Sequence, residues 1–329
     1  MSLQALHRPL NFIENVNKQW SQRKTWPSSK MVVRSISVLL HTDGSGISPV
    51  SKKSSRSGTA PLDRRTISSP RQVNGVGIIG GVSAVSTLNF LEKLVKWSSR
   101  EGEETVPFVV CCDPVLNKEL LFYERSPSYL NQKSSDSPQD HTPVVKNLQE
   151  RRLFLEQAGA CCIVMPCHIS HAWHNEISES CSVPILHIGE CVAKELKEAN
   201  MKPLEAGSNL RIGVLATDAT LTAGFYQEKL QSQGFEVVLP DKATMEHTVI
   251  PAVEALYRED IEGARNLLRI ALQVLLVRAV NTIILASDDM RGLLPRDDPL
   301  LRKCIDPMDA LAKSAVEWAQ LAANVNKSS

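Results

Sequence analysis

The sequence predicts an α/β protein of two similar lobes, each a parallel sheet flanked by helices, with a ligand site in the cleft between them. Two observations predict it. From Val76 onward, short apolar runs alternate with amphipathic stretches, which is the pattern of parallel strands joined by covering helices. The body also carries an internal repeat. Gly77-Ile78-Ile79-Gly80, followed by Thr87 and a helix ending Glu92-Lys93-Leu94, is echoed by Gly213-Val214-Leu215-Ala216, Thr220 and a helix ending Glu228-Lys229-Leu230. A second pair matches Ile163-Val164-Met165-Pro166-Cys167 with Ile283-Ile284-Leu285-Ala286-Ser287. Two such halves facing one another set Cys167 against Ser287 across a cleft at the strand ends, where open parallel sheets bind their ligands.

In chain order, Val76–Ile79 reads as a strand and Leu88–Trp97 as a helix with Leu88, Leu91, Leu94 and Val95 at helical spacing. Phe108–Cys111 is a strand, Ser126–Asp140 a polar loop, and Val144–Ala158 a helix. Cys162–Met165 (strand), His171–Ser178 (helix) and Pro184–Ile188 (strand) follow. Strands at Ile212–Ala216, Val237–Leu239 and Thr282–Leu285 alternate with helices at Phe225–Ser232, Val249–Tyr257, Ile261–Val280 and Met308–Ala322. The division expected from this order is a leader over 1–74, a first lobe over 75–189 plus 305–325, and a second over 190–304.

The leader is distinguished by charge. Residues 1–74 hold twelve Lys/Arg, only Glu14, Asp43 and Asp63 as acids, and 14 serines, so a net charge of +9 is offset by −8 over the rest. A Ser-rich, Arg-rich, acid-poor segment without apolar periodicity reads as a targeting or disordered leader, and its composition is that of a transit peptide. The serine content favours the chloroplast, with the mitochondrion or cytoplasm as alternatives. An acidic body argues against a nucleic-acid partner. No apolar run approaches the roughly 20 residues of a membrane span. All eight cysteines lie in the body, which is large enough to form its own core, so reduced thiols are expected in place of a disulfide framework.

Three motifs invite chemistry. Gly75-Val76-Gly77-Ile78-Ile79-Gly80 has the spacing of a dinucleotide fingerprint, but the apolar strand runs through it instead of preceding it, and cofactor binding is not expected. The glycine turn that follows is suited to bringing backbone N–H groups to a carboxylate. The run Cys161 to His174 is rich in Cys and His without the paired spacing of a zinc site, so no metal is expected either. Cys167 stands apart because it follows a strand and Pro166 at the turn into a helix. A helix N-terminus lowers a thiol pKa towards neutrality, and His168 and His171 are near enough in sequence to tune it.

Gly77-Ile78-Ile79-Gly80-Gly81, Met165-Pro166-Cys167 with His171, Gly213-Val214-Leu215-Ala216-Thr217 with Thr220 and Tyr226, and Ile305-Asp306-Pro307-Met308-Asp309 together resemble the aspartate/glutamate racemase family. Combined with the leader, they suggest a plant-type member with a divergent site. The resemblance implies a cofactor-independent racemase of aspartate or glutamate, often dimeric, in which two thiols act on opposite faces of the α-carbon. Two groups are needed because a single base tends to return the proton to the face it left. Cys167 falls on the first thiol. Ser287, in Leu285-Ala286-Ser287-Asp288-Asp289, falls on the second, and an alcohol needs a partner such as Asp288 or Asp289 to act. His168, with Ser170 beyond it, replaces the Asn-Thr that holds the α-carboxylate. Lys118 stands where the family's arginine holds the distal carboxylate, Arg258 matches a family lysine, and Thr87, Thr217 and Thr220 remain as hydroxyl donors. Two alternatives stay open: a one-thiol isomerase or decarboxylase of a small dicarboxylate, and a binding protein that has lost the chemistry.

Overall fold

A computed structural model describes residues 75–99, 105–126, 141–201 and 209–327. The leader and nearly all of the polar loop, 127–140, lie outside the described residues. Two parallel sheets form. The first has the order β2-β1-β3, with β1 Gly75–Ile79, β2 Phe108–Cys111 and β3 Ala160–Val164. The second has the order β5-β4-β6-β7, with β4 Arg211–Ala216, β5 Glu236–Val238, β6 Thr282–Ala286 and β7 Cys304–Ile305. Each therefore repeats the same three-strand arrangement, and the register repeats with it: Gly77 pairs with Ile163 in the first sheet as Gly213 pairs with Ile283 in the second. Cys167 and Ser287 lie four residues beyond those paired isoleucines, in equivalent places.

Alternate residues of each strand face opposite ways, and both faces are covered. Val76 and Ile78, Cys162 and Val164, Ile212 and Val214, and Ile284 and Ala286 enter one shared core. That core includes Phe90 and Leu94 of α1 (Ala84–Ser98) and Leu311 and Ala315 of the last helix, Pro307–Lys327. The opposite parity, Ile79, Ile163 and Met165, packs against Leu116 and Leu120 of α2 (Pro114–Arg125) and Leu148 and Leu155 of α3 (Thr142–Gln157). In the second sheet Leu215, Ile283 and Leu285 pack against Leu268, Leu272 and Leu275 of the helix Ile261–Val277. The glycines of the fingerprint-like motif lie inside β1, where Gly77 closely faces Ala160 and Ile163.

Several expectations need correction. His171–Ser178 is not one helix but a 3₁₀ turn, Ile169–Trp173, followed by α4, His174–Ser178. Pro184–Ile188 makes only a bridge: the Ile163 N–H donates to the Pro184 carbonyl and the Leu186 N–H to the Ile163 carbonyl, both at 2.9 Å. The chain then turns, because the His187 ring caps α5, Ile188–Glu198, by accepting from the Gly189 N–H. Helix α1 turns its Thr87, Phe90, Lys93 and Leu94 face inward and leaves Leu88 63% exposed. A buried polar face is permitted there because Lys93 pairs with Asp306 at 2.6 Å and Asp309 at 2.7 Å.

Asp306 is also held by Arg291 at 2.6 Å, so one carboxylate ties α1 of the first lobe to the short helix that follows β6. Lys93→Met should cost on the order of 3 kcal/mol in urea unfolding, because it leaves a largely buried carboxylate with one of its two cations. A change below about 0.5 kcal/mol would show the pairing to be incidental.

Candidate active site

β1 ends in Gly80-Gly81, and a Cβ added to Gly81 would overlap the Cys167 side chain, lying 2.7 Å from its Sγ. Only glycine allows the two chains this close. The thiol is 4% exposed and is met by the backbone N–H groups of Val82 and Ser170. The Ser170 hydroxyl is used locally, donating to the Cys167 carbonyl at 2.7 Å.

The expected depression of the thiol pKa does not occur. Burial pushes Cys167 up to about 12; the Val82 and Ser170 N–H groups oppose this, while the nearby charges of Glu124 and Asp288 add to it. Desolvation outweighs the helix-end effect because the turn that follows is only the five-residue 3₁₀ segment, with no sustained dipole. His168 and His171 supply no charge. Burial lowers His168 to about 4. His171 is lowered too, by burial and by His187 and His174, against whose rings it packs, while its Nε2 faces the Met165 carbonyl.

Ser287 follows β6 and caps the helix Asp288–Arg291, its Oγ accepting from the Met290 N–H at 3.4 Å. It is 4% exposed. The two halves touch through polar contacts. Thr217, just after β4, donates to Glu124 Oε1 at 2.6 Å and caps α6 (Asp218–Ala223) by accepting from the Thr220 N–H. His168 Nδ1 lies 3.0 Å from the Tyr226 hydroxyl, and its Nε2 lies 3.9 Å from Asp288. Ser86 of α1 hydrogen-bonds Asp288.

The carboxylates of this group are strained electrostatically. Burial raises Glu124 to about 7, the Thr217 hydrogen bond restrains it, and Asp289 and Asp288 push it further. Burial also raises Asp288 to about 6, despite Ser86 and Arg291. Asp289, at the exposed rim, accepts from the Tyr257 hydroxyl at 3.2 Å and is raised as well, first by burial.

Cys167, His168, Thr217 and Asp288 thus come together, and Ser170 and Ser287 serve the adjoining turns. Thr220 shares a helical face with Thr217 three residues before it, and its buried hydroxyl has no partner among the described residues. Thr87 is committed, donating to the Ser83 carbonyl at 3.3 Å. Two residues are not brought in. Lys118 is exposed on the flank of α2 beside Phe122, Pro143 and Val144, while its neighbour Asn117 turns to the Gly81 carbonyl. Arg258 ends the helix Ile250–Tyr257 and pairs with Glu254 at 3.7 Å in solvent; Tyr257 reaches Asp289 instead.

Glu124 was missed because α2 was not read. The signal was there: Asp113 caps the helix, Pro114 opens it, and Leu116, Leu120 and Tyr123 are spaced along its buried face. Among the described residues, no group of three or more His, Cys, Asp and Glu side chains is placed to hold a metal ion, and no helix is long and apolar enough to cross a membrane.

This is a two-lobed α/β scaffold whose equivalent strand ends carry a buried thiol and a buried alcohol. A family profile of Asp/Glu/hydantoin racemases matches residues 79–315, and the chain belongs to that family. A broad-specificity amino-acid racemase, RacX of Bacillus subtilis, is 25% identical over 242 residues, covering 73% of this chain and 96% of the relative. An aspartate racemase of Picrophilus torridus has a similar structure, with a TM-score of 0.55, 24% identity, and coverage of 75% of this chain and 94% of that one. An aspartate racemase homologue from Pyrococcus horikoshii OT3 gives a TM-score of 0.58 at 21% identity, over 75% of this chain and 99% of that one.

The raised Glu124 carboxyl gives a stability prediction. Folded, it holds its proton up to about 7, against an ordinary value of 4.5, so the unfolded chain ionises first and stability falls as pH rises between those values. Glu124→Gln keeps an acceptor for Thr217. It should match the parent below pH 4 and exceed it by on the order of 2 kcal/mol at pH 8 in urea titrations.

Proposed function

We propose that the chain is a cofactor-independent amino-acid racemase, with Cys167 acting on one face of the substrate α-carbon and Ser287 on the other. The observation that carries the reading is the equivalence of these two residues: each stands four residues beyond a matched glycine–isoleucine pair in sheets of the same strand order. The racemase names of the relatives support the reaction class.

In one direction the Cys167 thiolate takes the α-proton, and the electron pair of the C–H bond passes into the carboxylate as an enolate-like carbanion. The Ser287 hydroxyl delivers a proton to the far face, and the alkoxide left behind recovers a proton from bulk water. The Val82 and Ser170 N–H groups at the sulfur favour the thiolate. The thiol is held protonated first by burial and then by the Glu124 and Asp288 charges, and the substrate's own ammonium group offsets those charges. An alcohol is a far weaker acid than a thiol, so proton transfer at Ser287 is the slower of the two transfers in either direction. That asymmetry also favours a second reading, a one-thiol isomerase or decarboxylase, in which a single proton donor suffices.

Incubation with L- and D-amino acids in D2O, followed by NMR and chiral analysis, tests the proposal. Inversion with deuterium at the α-carbon, abolished in Cys167→Ala, is expected. Exchange with retention would replace the racemase by the one-thiol reading. Ser287→Cys should raise the inversion rate at least ten-fold, about 1.4 kcal/mol in barrier; an unchanged rate would remove Ser287 from the pair.

A further inference from the structure

We propose that this site takes an α-amino acid with a cationic side chain, and that Glu124, with Asp289 at the rim, sets that preference. The proposal rests on the racemase reading for the position of the substrate but adds a claim about charge. An acidic side chain needs a cation near Cys167, and the cations around the site are already committed. Lys93 is held by Asp306 and Asp309, Arg291 by Asp306, and Arg125 lies over the Tyr257 ring at 5.3 Å. Lys118 and Arg258, the residues that would have served, lie on the outer surface.

What the structure brings to Cys167 is negative. Glu124 reaches over from α2 to Thr217, and Asp288 and Asp289 open the helix Asp288–Arg291. Glu124 and Asp288 both act electrostatically on the thiol. Burial raises the proton affinity of all three carboxyls, and repulsion among them adds to it at Glu124 and Asp289. A second carboxylate arriving with the substrate would add to that repulsion and hold the thiol protonated. An ammonium or guanidinium group would neutralise it and help form the thiolate. A further sign of an unfilled polar position is Thr220, on the face of α6 that Thr217 opens, whose buried hydroxyl lacks a partner among the described residues.

The test uses the full chain. Titration calorimetry with L-lysine and with L-aspartate at pH 8 measures charge preference independently of turnover, and the D2O assay is run on both. L-lysine should bind at least ten-fold more tightly than L-aspartate, and Glu124→Gln should narrow that ratio about ten-fold, as expected for removing one charge from a partly screened site. Asp289→Asn should narrow it less, being nearer solvent. Equal or tighter binding of L-aspartate overturns the proposal, as does binding of neither amino acid, or a ratio unchanged in both variants. Lysine binding without α-carbon exchange would uphold the charge preference and refute the racemase reading. Exchange of aspartate alone would do the reverse.

Discussion

Asp306, at the start of the last helix, draws in Lys93 from α1 and Arg291 from the helix after β6. Taking charges out of water is costly unless they are paired, so this cluster is held tightly and its members are not free for other roles. The pairing fixes the last helix against α1 and ties the end of the second sheet to the first lobe. It also consumes Lys93 and Arg291, two cations that act on Asp288. Glu124 and Asp288 are left with hydrogen bonds from Thr217 and Ser86 in place of ion pairs. The acidity of the site is therefore a consequence of how the lobes are joined.

The scaffold is more symmetric than the chemistry it carries. The strand order and the glycine–isoleucine register are repeated between the sheets, yet the positions just past the strands differ. Gly81 lets Cys167 approach the first turn closely. The matching position in the second half is Thr217, whose side chain caps α6 and reaches across to Glu124. One half places a buried thiol against backbone N–H groups; the other places an alcohol at a helix cap with two carboxylates behind it. A thiol and an alcohol differ by several orders of magnitude in acidity, so a symmetric frame holds two chemically unequal groups at equivalent positions.

Most strands were legible from the sequence because a strand buried on both faces must be apolar along its length, and runs such as Ile212–Ala216 and Thr282–Leu285 satisfy that locally. The errors arose where neighbours decide. Pro184–Ile188 has strand composition, but a helix cap at His187 ends its pairing after one bridge. Leu88 fits a helical stripe, but α1 rotates to bury Lys93 beside Asp306, which no local pattern reveals. Helix α2 had a readable start at Asp113-Pro114, and its omission hid Glu124.

Cys167 and Ser287 were picked out by the sequence alone, because a repeat fixes equivalent positions without any knowledge of distance. The sequence likewise determined the parallel α/β class and the contrast between a basic segment over residues 1–74 and an acidic remainder, since these depend on composition and period. Only the tertiary structure decided the electrostatics. It turned Lys118 and Arg258 outward, spent Lys93 and Arg291 on Asp306, brought Glu124 and Asp288 to the thiol, and raised its pKa where the helix-end argument had lowered it. The reason is physical: desolvation and Coulomb energies depend on which groups share a low-dielectric space, and that is settled by packing between segments far apart in the chain.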